Sequence, residues 1–237
     1  MSTNETGSPR GAENWAKPVS KLHVEDVPAG AKNLVEGKQL VGPIQGFGKL
    51  WQKTYRVRLD PAVGTPTDVI RTWKERFPSF WPKGNQFYAP LTGINPGEVA
   101  LIRASVAGGI KLSTGVMVLY ADDESFTLMT PQGHMFAGWI TFSAAEDGGA
   151  TVAQAQVLMR AQDPLSELGL SLGGHRQEDR FWEQTLANLA AHFGVEAPVE
   201  TQVVCVDRKR QWSKTGNIRN SAAIRNGFHA FRSKSTG

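Results

Sequence analysis

The chain has 237 residues, of which 40% are hydrophobic and 20% are charged, with 25 glycines and 13 prolines. This composition is that of an ordinary globular protein, and it excludes collagen, a coiled coil and a wholly disordered chain. The single cysteine, Cys205, excludes an internal disulfide and a thiolate zinc site and favours a reducing compartment. The longest apolar stretch, Val116 to Ala121, is far shorter than the roughly 20 residues of a membrane-spanning helix. The first residues do not resemble a secretory signal, so we expect a cytoplasmic location.

The basic residues are concentrated near the C-terminal end of the sequence. From Asp207 to Gly237 there are eight basic residues and one acidic residue, a net charge of +7, whereas the preceding 206 residues carry −3. Such a segment can bind nucleic acid, an acidic partner or an anionic membrane by counterion release. The other interpretation is a tail that is solvated or packs on its own domain. The residues expected to bind such a partner are Arg208, Lys209, Arg210, Lys214, Arg219 and Arg225.

The first 50 residues show little regular pattern. Residues 1–20 are rich in Ser, Asn, Gly and Glu, and we expect them to be disordered. Residues 21–50 combine scattered apolar residues with repeated Gly and Pro, which predicts an irregular arm that packs on the body of the protein.

Regular structure is predicted to begin near residue 51. Tyr55, Val57 and Leu59 alternate with arginines, which is the pattern of a half-buried strand. Thr65 followed by Pro66 predicts the start of a helix, and the Pro-rich segment 77–82 (FPSFWP) predicts a second, short helix after it.

A series of strand signals separated by turns follows, from residue 86 to residue 160. Their close spacing indicates antiparallel neighbours, because parallel strands need long crossovers. Residues 116–120 and 134–142 are apolar on both strand faces, so the arm, the tail or a second subunit must cover the outer face. A homodimer through that face is therefore one possibility. Glycines in or beside the strands, Gly138 among them, permit a curved sheet.

Residues 175–193 form the longest predicted helix. Trp182, Leu186, Leu189 and Phe193 recur at helical spacing, and Gly194 provides the C-terminal stop. The predicted fold class is α+β, with one strand, two short helices, about six antiparallel strands and then one long helix that covers a sheet face.

Four segments stand out within this order of elements: YRVRL (55–59), the Pro-capped helix, TPQGHMFAGWITF (130–142) and EDRFWEQTLANLAAHFG (178–194). Together with the order itself, they resemble the START-like (SRPBCC, helix-grip) superfamily, which includes polyketide cyclases and lipid-binding modules. The resemblance covers residues 52–193 approximately and implies a curved antiparallel sheet of six to seven strands that grips the C-terminal helix. We therefore expect a START-like domain over residues 51–196 and a C-terminal extension with the basic tail over residues 197–237.

The resemblance implies a cavity between sheet and helix that binds an apolar or aromatic small molecule or a lipid, without a cofactor. The apolar content alone fits a filled core as well as a cavity. The residues expected to contact the ligand are Arg103, Trp81, Phe136, Gln156, Arg160, Trp182 and Leu186.

Whether the protein is an enzyme stays open at this point. His134 shares a strand face with Phe136, so a cyclase- or dehydratase-type enzyme of this fold could use it as a general base. The other interpretation is a histidine bonded to the preceding turn. A third hypothesis is an interaction protein that binds nucleic acid or an acidic partner through its basic tail. No histidine pair has metal-ligand spacing, and the G-x-S-x-G match at 169–173 lacks the parallel strand of a nucleophile elbow.

Overall fold

The computed structural model describes residues 11–60, 64–105 and 111–225. The N-terminal half of the segment expected to be disordered, residues 1–10, lies outside the described residues, as does the end of the basic tail, residues 226–237. Within the other half of that N-terminal segment, residues Ala12–Asn14 form a short 3-10 helix and Trp15 pairs with Tyr120 through a β-bridge.

One antiparallel sheet dominates the described part of the chain. Its strands are β1 (Leu50–Leu59), β2 (Gln86–Tyr88), β3 (Val99–Ser105), β4 (Lys111–Ala121), β5 (Ser125–Met129), β6 (Phe136–Asp147), β7 (Ala150–Ala161) and β8 (Glu200–Asp207). Their spatial order is β2-β3-β4-β5-β6-β7-β1-β8. The sequence expectation of six to seven strands is too low, because β8 of the C-terminal extension pairs with β1 and makes the sheet eight-stranded.

The helices begin where the sequence provides caps. Helix α1 (Pro66–Arg76) starts with a capping box, in which the Thr65 side chain accepts from the Asp68 backbone and the Asp68 carboxylate accepts from the Thr65 backbone. A 3-10 helix (Phe77–Phe80) follows it directly. Helix α2 (Pro164–Gly169), capped by the Asp163 carboxylate, is followed by a kinked π-helical turn (Leu170–Gly174), in which Leu172 and Gly173 leave helical backbone geometry, and then by α3 (His175–His192).

Helices α1 and α3 pack on the same face of the sheet, which we call the inner face. The inner face of β1 carries Tyr55, Val57 and Leu59, and that of α3 carries Leu186 and Leu189. Because strand residues alternate between faces, the intervening Arg56 and Arg58 of β1 point to the outer face. The long helix therefore covers one sheet face, as the α+β prediction requires.

The chain's own arm covers part of the outer face. Leu22 and Val35 of the arm are buried against Leu101 of β3 and Met117 of β4. In the region of β3 and β4, the apolar outer face is thus buried without a second subunit. None of the helices in residues 11–60, 64–105 and 111–225 is both long and apolar enough to cross a membrane.

The sheet depends on glycine at position 138, where β6 and β7 approach closely. Gly138 pairs with Met159, and a Cβ atom at this position would lie 2.1 Å from the carbonyl oxygen of Leu158. This oxygen belongs to the backbone and cannot rotate away as a side chain would.

We expect the Gly138→Ala variant to lose about 2 kcal/mol of unfolding free energy, because the two strands must separate to admit the methyl group. Urea denaturation measures this loss. The Gly169→Ala variant is the matched control, since a Cβ at Gly169 meets no atom within 4 Å. Equal denaturation midpoints for the two variants would contradict the prediction.

Candidate functional site

Aromatic side chains pack between the inner sheet face and the helices. Four residues that the sequence analysis assigned to a ligand, Trp81, Phe136, Trp182 and Leu186, all belong to this one cluster. The Trp81 ring lies 5.0 Å from that of Phe181, centroid to centroid. The Trp182 ring lies 5.5 Å from the Phe142 ring, so α3 and β6 meet through aromatic contacts.

Two tryptophans in this cluster place indole N–H groups in the interior without a hydrogen-bond partner among the described residues. These groups are Nε1 of Trp73, on α1, and Nε1 of Trp81, just after the 3-10 helix. Trp73 is fully buried and Trp81 is 9% exposed. A buried donor left unpaired costs about 1–3 kcal/mol. The interior is therefore chemically suited to a molecule that brings a hydrogen-bond acceptor.

Phe77 connects the two tryptophans. Its ring centroid lies 6.0 Å from that of Trp81 and 5.0 Å from that of Phe142, which in turn lies 5.1 Å from Trp73. The rings meet mostly edge to face, the arrangement that aromatic pairs prefer. Side chains thus fill this part of the interior, and a ligand can enter only if some of them move apart.

Two depressions of the described surface lie away from this interior. One is beside the first turn of α1 and is lined by residues that include Thr65, Asp68 and Glu146. The other lies between the arm and the tail and is lined by polar residues such as Gln162 and Asn217. Neither includes a residue that the sequence analysis assigned to ligand binding.

A group of charged side chains lies at the N-terminal end of α3, next to the aromatic cluster. Lys53 of β1 is fully buried, and its Nζ donates to Asp179 Oδ1 at 2.7 Å and to Glu178 Oε2 at 2.9 Å. The hydroxyl of Tyr55 donates to the same Asp179 oxygen at 2.7 Å. Tyr55 is also part of the aromatic cluster, so the polar group and the apolar interior are continuous.

Burial dominates the electrostatics of this group. It raises the pKa of Glu178 to about 7, although the neighbouring Lys53 acts in the opposite direction. Burial also raises the pKa of Tyr55 far above its usual range. The pKa of His175 is lowered to about 4 by burial and by the charge of Lys53. We therefore expect Glu178 to change its protonation state close to neutral pH.

The sequence analysis did not single out Lys53, Glu178 or Tyr55 as site residues. A signal was present, because Lys53 stands two residues before Tyr55 and so falls in phase with the apolar side of β1. A lysine in that phase needs a buried partner. The partners lie on a helix more than 120 residues further along the chain, and nothing in the local pattern connects them.

His134, the candidate general base, stands just before β6. Its Nδ1 accepts from the backbone N–H of Phe136 at 3.0 Å, and its own backbone N–H donates to Pro131 at 3.1 Å. Burial lowers the pKa of His134 to about 4, so the ring is neutral at neutral pH. Its ring lies 5.6 Å from that of Phe136, at the margin of the aromatic cluster.

The three polar residues assigned to ligand orientation lie on the outer face, separate from the aromatic cluster. Gln156 donates to Thr54 Oγ1 at 3.2 Å. The buried Arg160 donates to the carbonyl oxygens of Gly48 at 2.6 Å and Lys209 at 2.8 Å, and it pairs with Asp207. Arg103 is an exposed residue of β3 between the inward-facing Ile102 and Ala104.

The basic residues of the tail differ in exposure. Arg208, Lys209 and Arg219 are exposed, and Lys214 is half-buried. The Nε of Arg210 donates to Glu167 Oε1 at 2.8 Å, which ties the tail to α2. Burial lowers the pKa of Arg225 from its usual value.

Other chemistry considered from the sequence has no support in the described part of the chain. Among residues 11–60, 64–105 and 111–225 no three His, Cys, Asp or Glu side chains are grouped as a metal site would require. The serine of the G-x-S-x-G match, Ser171, lies in the π-helical turn, and its hydroxyl donates to the Glu167 carbonyl oxygen at 2.9 Å.

No family model and no curated protein matches this chain. Solved structures do match part of it. One is a START superfamily protein from Mycobacterium smegmatis, which is 18% identical, with a TM-score of 0.41, over 62% of this chain and 98% of that chain.

Two further solved structures are similar over the same share of the chain. The di-domain ARO/CYC StfQ from the steffimycin biosynthetic pathway is 10% identical, with a TM-score of 0.47, over 62% of this chain and 53% of that chain. Ara h 8.0201 is 11% identical, with a TM-score of 0.44, over 61% of this chain and 97% of that chain.

Proposed function

We propose that this chain binds an apolar or aromatic small molecule, or a lipid, between the inner sheet face and α3. The observation that carries the proposal is the pair of buried indole N–H groups of Trp73 and Trp81, which have no partner among the described residues. Burial of apolar surface supplies the affinity, and either indole N–H group orients the ligand by donating to one of its oxygen atoms. The ligand is therefore largely apolar and carries at least one carbonyl, ether or similar oxygen.

The segment from Phe77 to Trp81 acts as the movable cover of this site. Its backbone is held to α3 by one hydrogen bond, from Asn188 Nδ2 to the Phe80 carbonyl oxygen at 2.9 Å. The other contacts to α3 are between rings, such as Phe80 with His192 at 5.7 Å. Apolar ring contacts can be exchanged for contacts with an apolar ligand at little net change in buried area.

Of the residues proposed from the sequence, Trp81, Phe136, Trp182 and Leu186 contact the ligand. The proposed ligand site does not include Arg103, Gln156 and Arg160, because their side chains lie on the outer face of the sheet. We assign no catalytic role to His134, since its Nδ1 accepts a hydrogen bond from the backbone N–H of Phe136. The proposed function is that of a binder or carrier, with no cofactor.

The first test is native mass spectrometry of the gently purified protein, followed by solvent extraction. We expect a bound mass of a few hundred daltons, roughly what a small-ligand pocket accommodates. Extraction and identification of that compound would then define the ligand class.

A sharper test compares two probes, 2-acetylnaphthalene, which has a carbonyl acceptor, and 2-ethylnaphthalene, which has none. The Trp81→Phe variant keeps an aromatic ring but loses the indole donor. We expect it to bind the ketone about fivefold more weakly and the hydrocarbon equally well, because one neutral hydrogen bond contributes about 1 kcal/mol. Isothermal titration calorimetry measures both affinities.

The matched control is Trp212→Phe, because Trp212 is 72% exposed and packs on Phe47, away from the inner face. It should bind both probes as the unaltered protein does. An apo mass together with no uptake of either probe would refute the proposed function. An equal loss of affinity for both probes in Trp81→Phe would show that the indole N–H group of Trp81 does not bind the ligand.

A further inference from the structure

Three segments distant in sequence form one exposed surface that is both apolar and basic. They are residues 43–48 of the arm, residues 164–174 (α2 and the π-helical turn), and residues 208–220 of the tail, which include the 3-10 helix Trp212–Asn220. We call this surface the apolar-basic face. Its exposed large apolar residues are Ile44, Leu165, Leu168, Leu172, Trp212 and Ile218.

Direct contacts hold these segments together. The backbone of Gln211 donates to the Phe47 carbonyl oxygen at 2.7 Å, and Asn217 Nδ2 donates to the Gln45 carbonyl oxygen at 2.8 Å. Arg210 of the tail pairs with Glu167 of α2 at 2.8 Å. The tail therefore lies between the arm and α2, and its exposed residues continue the surface of both.

The leucines of this face are exposed. Leu165 and Leu168 are three residues apart in α2, which places them on one side of that helix. Leu172 lies in the turn that follows, where the backbone leaves helical geometry. The three leucines are 41%, 55% and 77% exposed, whereas Glu167 and Leu170 on the other side are buried. Asp163 caps the start of α2 by accepting from two backbone N–H groups.

The charge of the face is positive. Its acidic groups are bonded to arginines, Glu167 to Arg210 and Asp207 to Arg160. The exposed Lys209 and Arg219 and the half-buried Lys214 add cationic groups around the apolar residues. Exposed leucines surrounded by cations complement a surface that is anionic outside and apolar beneath.

We propose that the apolar-basic face docks on an anionic phospholipid surface. The leucines enter the region below the headgroups, and Lys209, Lys214 and Arg219 contact lipid phosphates. A nucleic acid would satisfy the cations but offers no apolar layer for three aliphatic side chains, so the leucines favour the membrane. This proposal rests on the surface alone and is independent of the proposed ligand between the sheet and α3.

Vesicle co-sedimentation of the full chain tests the proposal. We expect binding to vesicles of phosphatidylcholine with one-quarter phosphatidylserine, and a partition coefficient that falls as salt is raised. Replacing Lys209, Lys214 and Arg219 together by Gln should lower that coefficient about 100-fold. The double variant Leu168→Ser and Leu172→Ser should lower it at least about tenfold, because both side chains lose their apolar insertion.

Matched controls are the exposed Lys83→Gln and Leu91→Ser, which lie outside the three segments and should bind vesicles as the unaltered protein does. The proposal is overturned if the leucine variant binds vesicles normally, since charge alone would then explain the binding. It is equally overturned if the vesicles are not bound and a single-stranded oligonucleotide is bound through the same three cations. Circular dichroism confirms that each variant is folded.

Discussion

Replacing Lys53 by Met should lower the free energy of unfolding by about 3–5 kcal/mol, the usual effect of removing one partner from a buried ion pair. Lys53 is fully buried, and its ammonium group is the hydrogen-bond partner of both Glu178 and Asp179. Without it, two neighbouring carboxylates lie at the start of α3 with no cation between them. Urea denaturation at pH 8, where both carboxylates are ionised in the unfolded chain, measures the loss.

The matched control is Arg56→Met on the same strand. Arg56 is exposed on the outer face and donates to Gln154 at 2.6 Å, so its replacement should cost less than about 1 kcal/mol. If Lys53→Met does not fold, the triple variant that adds Glu178→Gln and Asp179→Asn should recover stability, because it removes the unpaired charges. A Lys53→Met variant as stable as Arg56→Met would show that the buried pair contributes nothing.

Elements with strong local signals were predicted well from the sequence. The alternation of Tyr55, Val57 and Leu59 identified β1 and its apolar face, and Thr65 with Pro66 marked the start of α1. The long helix begins at His175 as predicted and ends at His192, one residue before the predicted end. Caps, prolines and apolar periodicity are properties of neighbouring residues, so the sequence displays them directly.

The strand count was predicted less well because β8 gives a weak signal. Its side chains are exposed on both faces, with Val203 and Val204 adjacent rather than alternating with polar residues. An edge strand of this kind is defined by its pairing with β1, which no local pattern reveals. For the same reason, the sequence did not show that the C-terminal extension joins the sheet of the main domain.

The face of β7 that meets the helix could not be chosen from its own sequence. Gln154 and Gln156 alternate with Ala153 and Ala155, and either set could have faced inward. The structure places the alanines in the core and the glutamines on the outer face, where their partners are Arg56 and Thr54. Small residues on the inner face leave room for the bulky rings of α1 and α3. That complementarity exists only between elements, so the sequence of β7 alone does not show which of its faces meets the helices.

Glu178→Gln should remove a pH dependence of stability that arises in this same group of charges. The pKa of Glu178 is raised from 4.5 to about 7 in the folded chain, so between these values the folded state holds more protons than the unfolded state. Stability contributed by this residue is therefore highest below pH 4.5 and falls as pH rises through 7. The loss on going to pH 8 amounts to about 3 kcal/mol, at about 1.4 kcal/mol per pKa unit.

Two histidines change the stability with pH in the opposite direction, and their effect must be separated from that of Glu178. The pKa values of His134 and His175 are both lowered to about 4, so the unfolded chain takes up these protons first as pH falls below 6.5. This reduces stability in acid. Both histidines are present in the Glu178→Gln variant, so the difference in unfolding free energy between variant and unaltered protein isolates Glu178.

We expect that difference to grow in favour of Glu178→Gln by about 2–3 kcal/mol between pH 5 and pH 8, because glutamine fills the same place without a charge to desolvate. Urea denaturation at intervals of half a pH unit gives the curve, and the pH at which the curve levels off reports the pKa of Glu178 in the folded chain. The exposed Glu75→Gln on α1 serves as the control and should show a flat difference. A flat difference for Glu178→Gln as well would mean that Lys53 keeps both carboxylates ionised throughout. The buried group would then act as a permanent ion pair between β1 and α3, and it would not take up a proton near neutral pH.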